Sequence, residues 1–234
     1  MKRLNKISAA ALLAFASQQS FAADITVEIQ NLSHGIYITP IAAVAHTTDA
    51  SLFEVGEAAS TEIQMLAEGG NLDGITTIGT SIGADMIVNP AGGLLAPGMT
   101  TSADLMTTGD NTVLSVVAMI VPSNDAFIGL DNWEIPADAG TYTVYVNAYD
   151  AGTEANDEIR GGGEPGTPGM PVPPPLEDMV GTGGSGVAGA DTNAAVHIHR
   201  GTIGDDSLTD GASDLNNTVH RWLNPVAKVT VTVR

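Results

Sequence analysis

Residues 113–125 read VLSVVAMIVPSND, and residues 142–154 read YTVYVNAYDAGTE. The first segment is an apolar run that stops at a proline, which is typical of a central, well-buried strand. The second segment alternates apolar and polar residues with period two, which indicates a half-buried strand. Both strands run into Asp, Asn and Gly residues that favour turns. If the two strands share a sheet, their acidic ends can meet at one edge.

Short segments of the same kind recur along the chain. We expect further strands at residues 25–29, 36–46 with a break at Pro40, 100–106, 127–130, 196–199 and 226–233. One short helix is expected at residues 60–68, where Thr61 and Gln64 fit a capping box and the Gly69-Gly70 pair ends the apolar stripe. Eight or so strands with one helix predict an all-β fold, an antiparallel β-sandwich.

One long segment breaks this pattern. More than half of residues 161–190 are Gly or Pro, and the segment has no hydrophobic periodicity. Such a composition does not predict a packed core, and loops of this length are usually functional or disordered. We therefore interpret residues 161–190 as a flexible insertion within one domain that spans residues 23–234.

The N-terminus has the features of an export signal. Three basic residues precede an apolar stretch at residues 7–15, and Ser20-Phe21-Ala22 fits a small-x-small cleavage site. We expect residues 1–22 to be removed, with the protein periplasmic or secreted. The apolar stretch is too short for a transmembrane helix. Cleavage would remove three basic residues and no acidic ones, which shifts the net charge from −19 to −22.

The composition limits the possible partners. A nucleic-acid-binding protein needs a basic surface, and the few remaining cationic residues are scattered along the chain. Anionic membranes and sulfated glycans are disfavoured for the same reason, unless a divalent cation bridges them. The chain has no cysteine, so disulfides and thiol chemistry are both absent.

Acidic side chains are concentrated where the two quoted strands end. Converging carboxylates repel one another unless a cation lies between them, and a set of oxygen ligands suits Ca²⁺. The candidate ligands are Asp125, Asp150 and Glu154, with Asp131, Asn156 and Asp157 within reach. The alternative is that these residues only form turns and carry solvated charge.

The same two segments resemble a known family. PSNDAFIGLD at residues 122–131 and YDAGTE at residues 149–154 are similar to segments of the spondin N-terminal domain, the module of F-spondin and mindin. Residues 52–60 and 224–231 extend the resemblance over most of the chain. It implies a C2-like β-sandwich in which the two segments supply Ca²⁺ ligands. Ala126 stands where the family has Trp, Glu154 where it has a second Asp, and the cysteines of animal members are missing.

Histidines form a second candidate site. His197 and His199 lie two residues apart on an expected strand and so point to one face. With His46 or His220 they would make a Zn²⁺ or Cu²⁺ site. The alternative is that they are structural or solvated residues.

A match to a hydrolase motif at residues 79–83, GTSIG, is set aside. The Asn-Pro and Gly-Gly pairs that follow it do not favour the helix that a nucleophile elbow requires. The sequence therefore predicts a non-catalytic, exported, calcium-binding module, and the resemblance to spondin N-terminal domains implies that it contacts a protein or glycan at a cell surface or envelope. The competing hypotheses are a metalloenzyme or a metal-buffering protein that uses the His-x-His pair.

Overall fold

The computed structural model describes residues 22–188 and 193–234. The expected export signal at residues 1–22 therefore lies outside the described residues, apart from Ala22, as do the last two residues of the expected insertion. The strands are β1 (Asp24–Asn31), β2 (Tyr37–Ile38), β3 (Ala42–His46), β4 (Asp85–Val88), β5 (Thr100–Met106), β6 (Val113–Val121), β7 (Ala126–Glu134), β8 (Gly140–Asp150), β9 (Arg160–Gly161), β10 (Met170–Pro171), β11 (His197–Ile198) and β12 (Ala227–Val233). The helices are α1 (Thr61–Gly69), α2 (Asp73–Ser81) and a 3₁₀ turn at Pro174–Leu176.

Most strands belong to one antiparallel sheet with the order β4-β3-β6-β7-β8-β12-β1-β5; β2 also pairs with β6, and β11 with β8. Strands β7 and β8 pair only from Ala126↔Asp150 to Gly129↔Asn147. Beyond that point β7 stays with β6 and β8 stays with β12, so the sheet divides into two layers. At the far edge, the N–H of Thr108, just after β5, donates to Asp85 of β4 at 2.7 Å and nearly closes the sheet. The predicted all-β sandwich is confirmed.

Strand β6 is buried along its whole length because it is covered on both faces. Leu114, Val116 and their even-numbered neighbours lie in the main core between the two layers. Val117 packs on the other face, under the helices. Covering on both faces explains why the sequence of β6 is continuously apolar and does not alternate.

Helix α1 lies where the sequence predicts it, but its cap differs. Ser60, and not Thr61, is the N-cap residue, and its hydroxyl accepts a hydrogen bond from the N–H of Ile63 at 3.2 Å. Gly70 ends the helix in the left-handed conformation, with φ of 67°. No helix in the described part of the chain is long and apolar enough to cross a membrane.

The expectation of a single helix is wrong, because α2 follows α1 directly. Its sequence, DGITTIGTS, contains two glycines and several β-branched residues, which lower helix propensity. Both glycines allow close packing: a Cβ on Gly74 would lie 2.7 Å from Cγ of Glu62, and one on Gly79 would lie 2.2 Å from Sδ of Met86. The GTSIG segment therefore ends a helix and precedes a strand, the reverse of a nucleophile elbow.

The expectation that residues 161–190 pack no core is wrong for the described residues 161–188. Met170, Leu176 and Val180 are buried against Met119 and Val121 of β6. This part of β6 needs a cover because the helices do not reach it. These three side chains cover it together with buried Leu215 and the partly buried Val172 and Met179. Their irregular spacing among Gly and Pro residues gives the segment no periodicity.

Candidate functional site

Two acidic residues meet where β7 begins and β8 ends. Ala126, the first residue of β7, pairs with Asp150, the last residue of β8. The N–H of Ala151 donates to the carbonyl oxygen of Asp125 at 3.2 Å. The strand register thus brings Asp125 and Asp150 to one edge of the sheet, where the sequence placed them.

Asp125 is fully buried, and its two carboxylate oxygens differ in their surroundings. Oδ2 accepts hydrogen bonds from the N–H groups of Thr153 at 2.9 Å and Glu154 at 3.2 Å. Oδ1 is buried and has no hydrogen-bond partner. Burial raises the pKa of Asp125 from 3.8 to about 7, and the negative charge of Asp150 adds to the rise. The site therefore carries a buried charge that the described side chains do not balance.

Asp150 is the centre of a hydrogen-bond network. Its Oδ1 accepts from the N–H of Gly152 at 2.8 Å, and its Oδ2 accepts from the side-chain amide of Asn156 at 2.6 Å. The amide oxygen of Asn156 in turn lies 2.9 Å from Nε2 of His199. Nε2 of His197 is 3.7 Å from Oδ2 of Asp150, so a protonated His197 would partly balance this carboxylate.

Glu154 does not place its carboxylate with this pair. Its Oε1 accepts from the amide of Asn124 at 3.0 Å and from the N–H of Gly169. The same Asn124 amide donates to Asp157 at 2.9 Å. Burial raises the pKa of Glu154 as well. Glu154 thus contributes its backbone N–H to Asp125, while its side chain connects the strand-end loop to the segment around Gly169.

Comparison with protein families identifies the chain. A family model described as Spondin_N matches residues 17–168, which is more than half of the sequence. The chain belongs to the spondin N-terminal domain family. Domains of this family are generally extracellular and non-enzymatic. A search of curated proteins found no match. The matched region contains Asp125, Asp150 and Glu154, whereas β12, which joins β8 to β1, lies beyond it.

Asp131, another predicted ligand, has a different place in the spondin domain. It lies in a bulge of β7 opposite Ser115, where Asn132 adopts φ of 51°. Its Oδ1 accepts from Leu52 N–H at 3.1 Å and from the Ser115 hydroxyl at 2.9 Å. Its Oδ2 accepts from the Ser51 hydroxyl at 2.7 Å and from the Asn132 amide at 2.8 Å. Four donors hold this carboxylate, which fixes the residue 51–53 segment to β7.

The structure does not gather the four histidines. His197 and His199 both lie beside the Asp150 network. His46 pairs with Val113, at the end of β6 remote from Asp125, and its Nε2 is 2.8 Å from the Ser115 hydroxyl. His220 is buried with Nδ1 accepting from the N–H of Asn216, and burial lowers its pKa to about 4. His46 therefore lies most of the length of β6 away from His197 and His199, whereas a Zn²⁺ or Cu²⁺ site that combines the pair with His220 stays a prediction.

Oxygen atoms dominate the surroundings of Asp125. Across the described residues no three His, Cys, Asp or Glu side chains form a group that could hold a metal ion. A cation at this edge would therefore use the carboxylates of Asp125 and Asp150 together with carbonyl oxygens of the loops. Oxygen-only ligation of this kind suits Ca²⁺ rather than Zn²⁺ or Cu²⁺. Sequence reasoning missed Asn124, although its place directly before Asp125 in the turn was a usable signal.

Proposed function

We propose that this spondin domain is a non-catalytic, exported binding module whose strand-end loops are fixed by one Ca²⁺ ion at Asp125 and Asp150. The observation that supports it is the buried Oδ1 of Asp125, which has no hydrogen-bond partner beside a second carboxylate. An isolated buried charge of this kind strongly destabilises a fold unless it is protonated or paired with a cation. A divalent cation would remove the repulsion between the two carboxylates and supply the missing partner.

The loops around the two carboxylates suit this role. Residues 122–125 lead into β7, and residues 151–154 leave the adjacent strand β8. Hydrogen bonds from the N–H groups of Thr153 and Glu154 to Asp125 hold the two loops together. When bound, the ion would neutralise the edge and restrict both loops. The protein's own residues would position the ligands: Asn156 orients Asp150, and Asn124 holds Glu154 to one side.

The partner class follows from the family and the charge. Spondin N-terminal domains are generally extracellular, and the mature chain is strongly acidic. We therefore propose that the module contacts a protein or a glycan at a cell surface or envelope. Direct attraction to an anionic surface is disfavoured, so such a contact would require a bridging cation.

Thermal unfolding of the purified protein tests the ion. Two millimolar Ca²⁺ acting on a site with a Kd of about 0.1 mM would add about 1.8 kcal/mol of stability. For a domain of this size, that corresponds to a rise in Tm of roughly 4–7 °C over the value in excess chelator. Mg²⁺ should do much less, because it requires a tighter octahedron and loses water reluctantly.

Two variants test which carboxylates bind the ion. Asp150→Asn should remove most of the Ca²⁺ response, because one of the two carboxylates is lost. Glu154→Asp is the matched control: it places the family's own residue at this position and should keep the response. Equal melting temperatures for the wild type in excess Ca²⁺ and in excess chelator would contradict the proposal.

A further inference from the structure

A second feature lies on the other side of the β7–β8 junction, away from Asp125. After Gly129↔Asn147 the two strands separate, and a cavity of about 570 Å³ opens between them and the residue 51–55 segment. Its volume is within the range of small-ligand sites, about 300–1,000 Å³. The cavity follows from the topology, because a sheet that divides into two layers must open where the strands diverge.

Aromatic rings form the walls of this cavity. The rings of Phe53 and Tyr149 lie 5.2 Å apart at an angle of 55°, and Phe53 also packs edge-on against buried Phe127. Gly129 permits this arrangement, since a Cβ there would lie 2.6 Å from Cζ of Phe53. Tyr145 lines the same cavity and is 64% exposed. Two fixed rings and one accessible ring therefore face a common space.

The charge of the cavity is negative. Glu54 and Asp131 line it, and no described Lys or Arg does; the nearest cation by strand register is Lys228 of β12, the cross-strand partner of Tyr145. The field of Asp131 reaches the aromatic wall: burial raises the pKa of the Tyr149 hydroxyl, and the charge of Asp131 raises it further. An anionic cavity with aromatic walls attracts cations, and organic cations bind the faces of such rings.

The hydrogen bonds that Asp131 already accepts favour a cation over a sugar as the ligand of this cavity. Both its oxygens are already occupied by four donors, from Ser51, Leu52, Ser115 and Asn132. It therefore has little capacity left to accept hydrogen bonds from ligand hydroxyl groups. Its charge still acts across the cavity, because electrostatic attraction needs no free lone pair.

We propose that the cavity between β7 and β8 binds an organic cation, an alkylammonium or guanidinium group, against the rings of Tyr145, Tyr149 and Phe53. The group can be carried by a small molecule or by a Lys or Arg side chain of a partner protein. The two sources share the same recognition chemistry. Binding of the free group is weak, with a Kd on the order of 1–10 mM, because the cavity is open and the group is small.

The test is a titration of the full chain in which the ¹H–¹⁵N chemical shifts of residues 129–132 and 145–149 report binding. The probes are choline and its neutral isostere 3,3-dimethylbutan-1-ol, together with methyl glucoside. An N-acetyl-arginine amide and an N-acetyl-lysine amide represent a partner side chain. We expect saturable shifts at these residues with choline or with either amide. We also expect the neutral isostere to bind at least fivefold more weakly than choline. Preference for the amides over choline would assign the site to a partner side chain, and the reverse to a small molecule.

Variants locate the binding. Tyr145→Ala removes an exposed ring without disturbing the core and should weaken binding about 3- to 10-fold, as expected for loss of one cation–π contact. Glu54→Gln should weaken it about 2-fold and reduce its salt dependence. Thr143→Ala, at an exposed position of the same strand outside the cavity, is the matched control and should change nothing. Equal binding of choline and the alcohol, preferential binding of the glucoside, or no saturable shift with any cation up to 50 mM would overturn the proposal.

Discussion

Replacing Asp125 by Asn separates the effect of a buried charge from the effect of the ion proposed to balance it. The Asn side chain keeps the size of Asp, and its amide oxygen can accept the N–H groups of Thr153 and Glu154 as Oδ2 does now. Its NH₂ group would occupy the position of the unpartnered Oδ1, beside Asp150. The variant therefore loses the buried charge and gains a donor next to the remaining carboxylate.

The magnitude follows from the pKa of Asp125, which burial and Asp150 raise from 3.8 to about 7 in the metal-free protein. Between these values the folded state holds a proton that the unfolded state has released. The free energy of unfolding therefore falls as pH rises from about 4 to about 7. At about 1.4 kcal/mol per pH unit, the loss approaches about 4 kcal/mol above pH 7. Asn does not titrate, so Asp125→Asn should avoid this loss.

The assay is thermal unfolding in chelator and in Ca²⁺, at pH 5 and pH 8. In chelator at pH 8, a difference of about 4 kcal/mol should place the Tm of Asp125→Asn roughly 8–16 °C above that of the wild type. At pH 5 the difference in the free energy of unfolding should fall to about 1.6 kcal/mol, because the loss has then accumulated over only the pH range between 3.8 and 5. Comparing the two proteins at each pH cancels the titration of other groups. Added Ca²⁺ at pH 8 should raise the Tm of the wild type and leave that of the variant unchanged.

Asp131→Asn, within β7, is the control for the same substitution at Asp125, which directly precedes β7. Four donors hold the Asp131 carboxylate, so this variant should be destabilised at both pH values and keep its Ca²⁺ response. In chelator, a difference in stability between Asp125→Asn and the wild type that is the same at pH 8 as at pH 5 would contradict this prediction. That result would mean that the buried carboxylate is balanced within the protein.

Three further predictions concern the fold. Leu176→Ala should lower the free energy of unfolding by about 2–5 kcal/mol in urea titrations, because Leu176 is fully buried in the cluster that covers Met119. Gly129→Ala should cost about 1–3 kcal/mol in the same assay, since its Cβ would displace the Phe53 ring. Burial lowers the pKa of His220 from 6.5 to about 4, so the free energy of unfolding falls as pH falls between these values. His220→Gln should remove about 3 kcal/mol of this loss, measured by urea titrations at pH 4 and pH 7.

Most strands of the main sheet were predictable because their patterns are local, whereas β4 and the short strands β9 and β10 were not expected. Alternation located β1, β8 and β12, and the unbroken apolar run located β6 at Val113–Val121. Helix α1 was also predictable, since an apolar stripe precedes Gly70. In each case residues close in sequence carry the signal, and tertiary packing agrees with it.

Helix α2 and the cover over β6 were not predictable by the same means. The glycines of α2 lower helix propensity, and they are tolerated because Glu62 and Met86 pack where their side chains would be. Met170 and Leu176 are isolated apolar residues among Gly and Pro, so no periodicity reveals their burial. These features depend on contacts between distant parts of the chain.

The candidate site was predictable in part. The strand ends placed Asp125 and Asp150 together, because a register set by β7 and β8 is a local consequence of two adjacent strands. The direction of the Glu154 side chain was not, since it depends on Gly169 in the packed segment. The i, i+2 spacing placed His197 and His199 near each other, but nothing local shows that His46 lies at the opposite end of β6.

The acidic composition alone does not identify a cation site, because most of the buried carboxylates in the loops serve the backbone. Glu158 accepts hydrogen bonds from the N–H groups of Ile203 and Gly204, and Asp214 accepts from that of Arg160. In a chain with long loops and few strands nearby, such carboxylates supply the acceptors that a sheet would otherwise provide. Among the buried carboxylate oxygens of the described residues, only Oδ1 of Asp125 has no partner. The number of donors around each acid, and not the number of acids, therefore directs the search for a cation to the ends of β7 and β8.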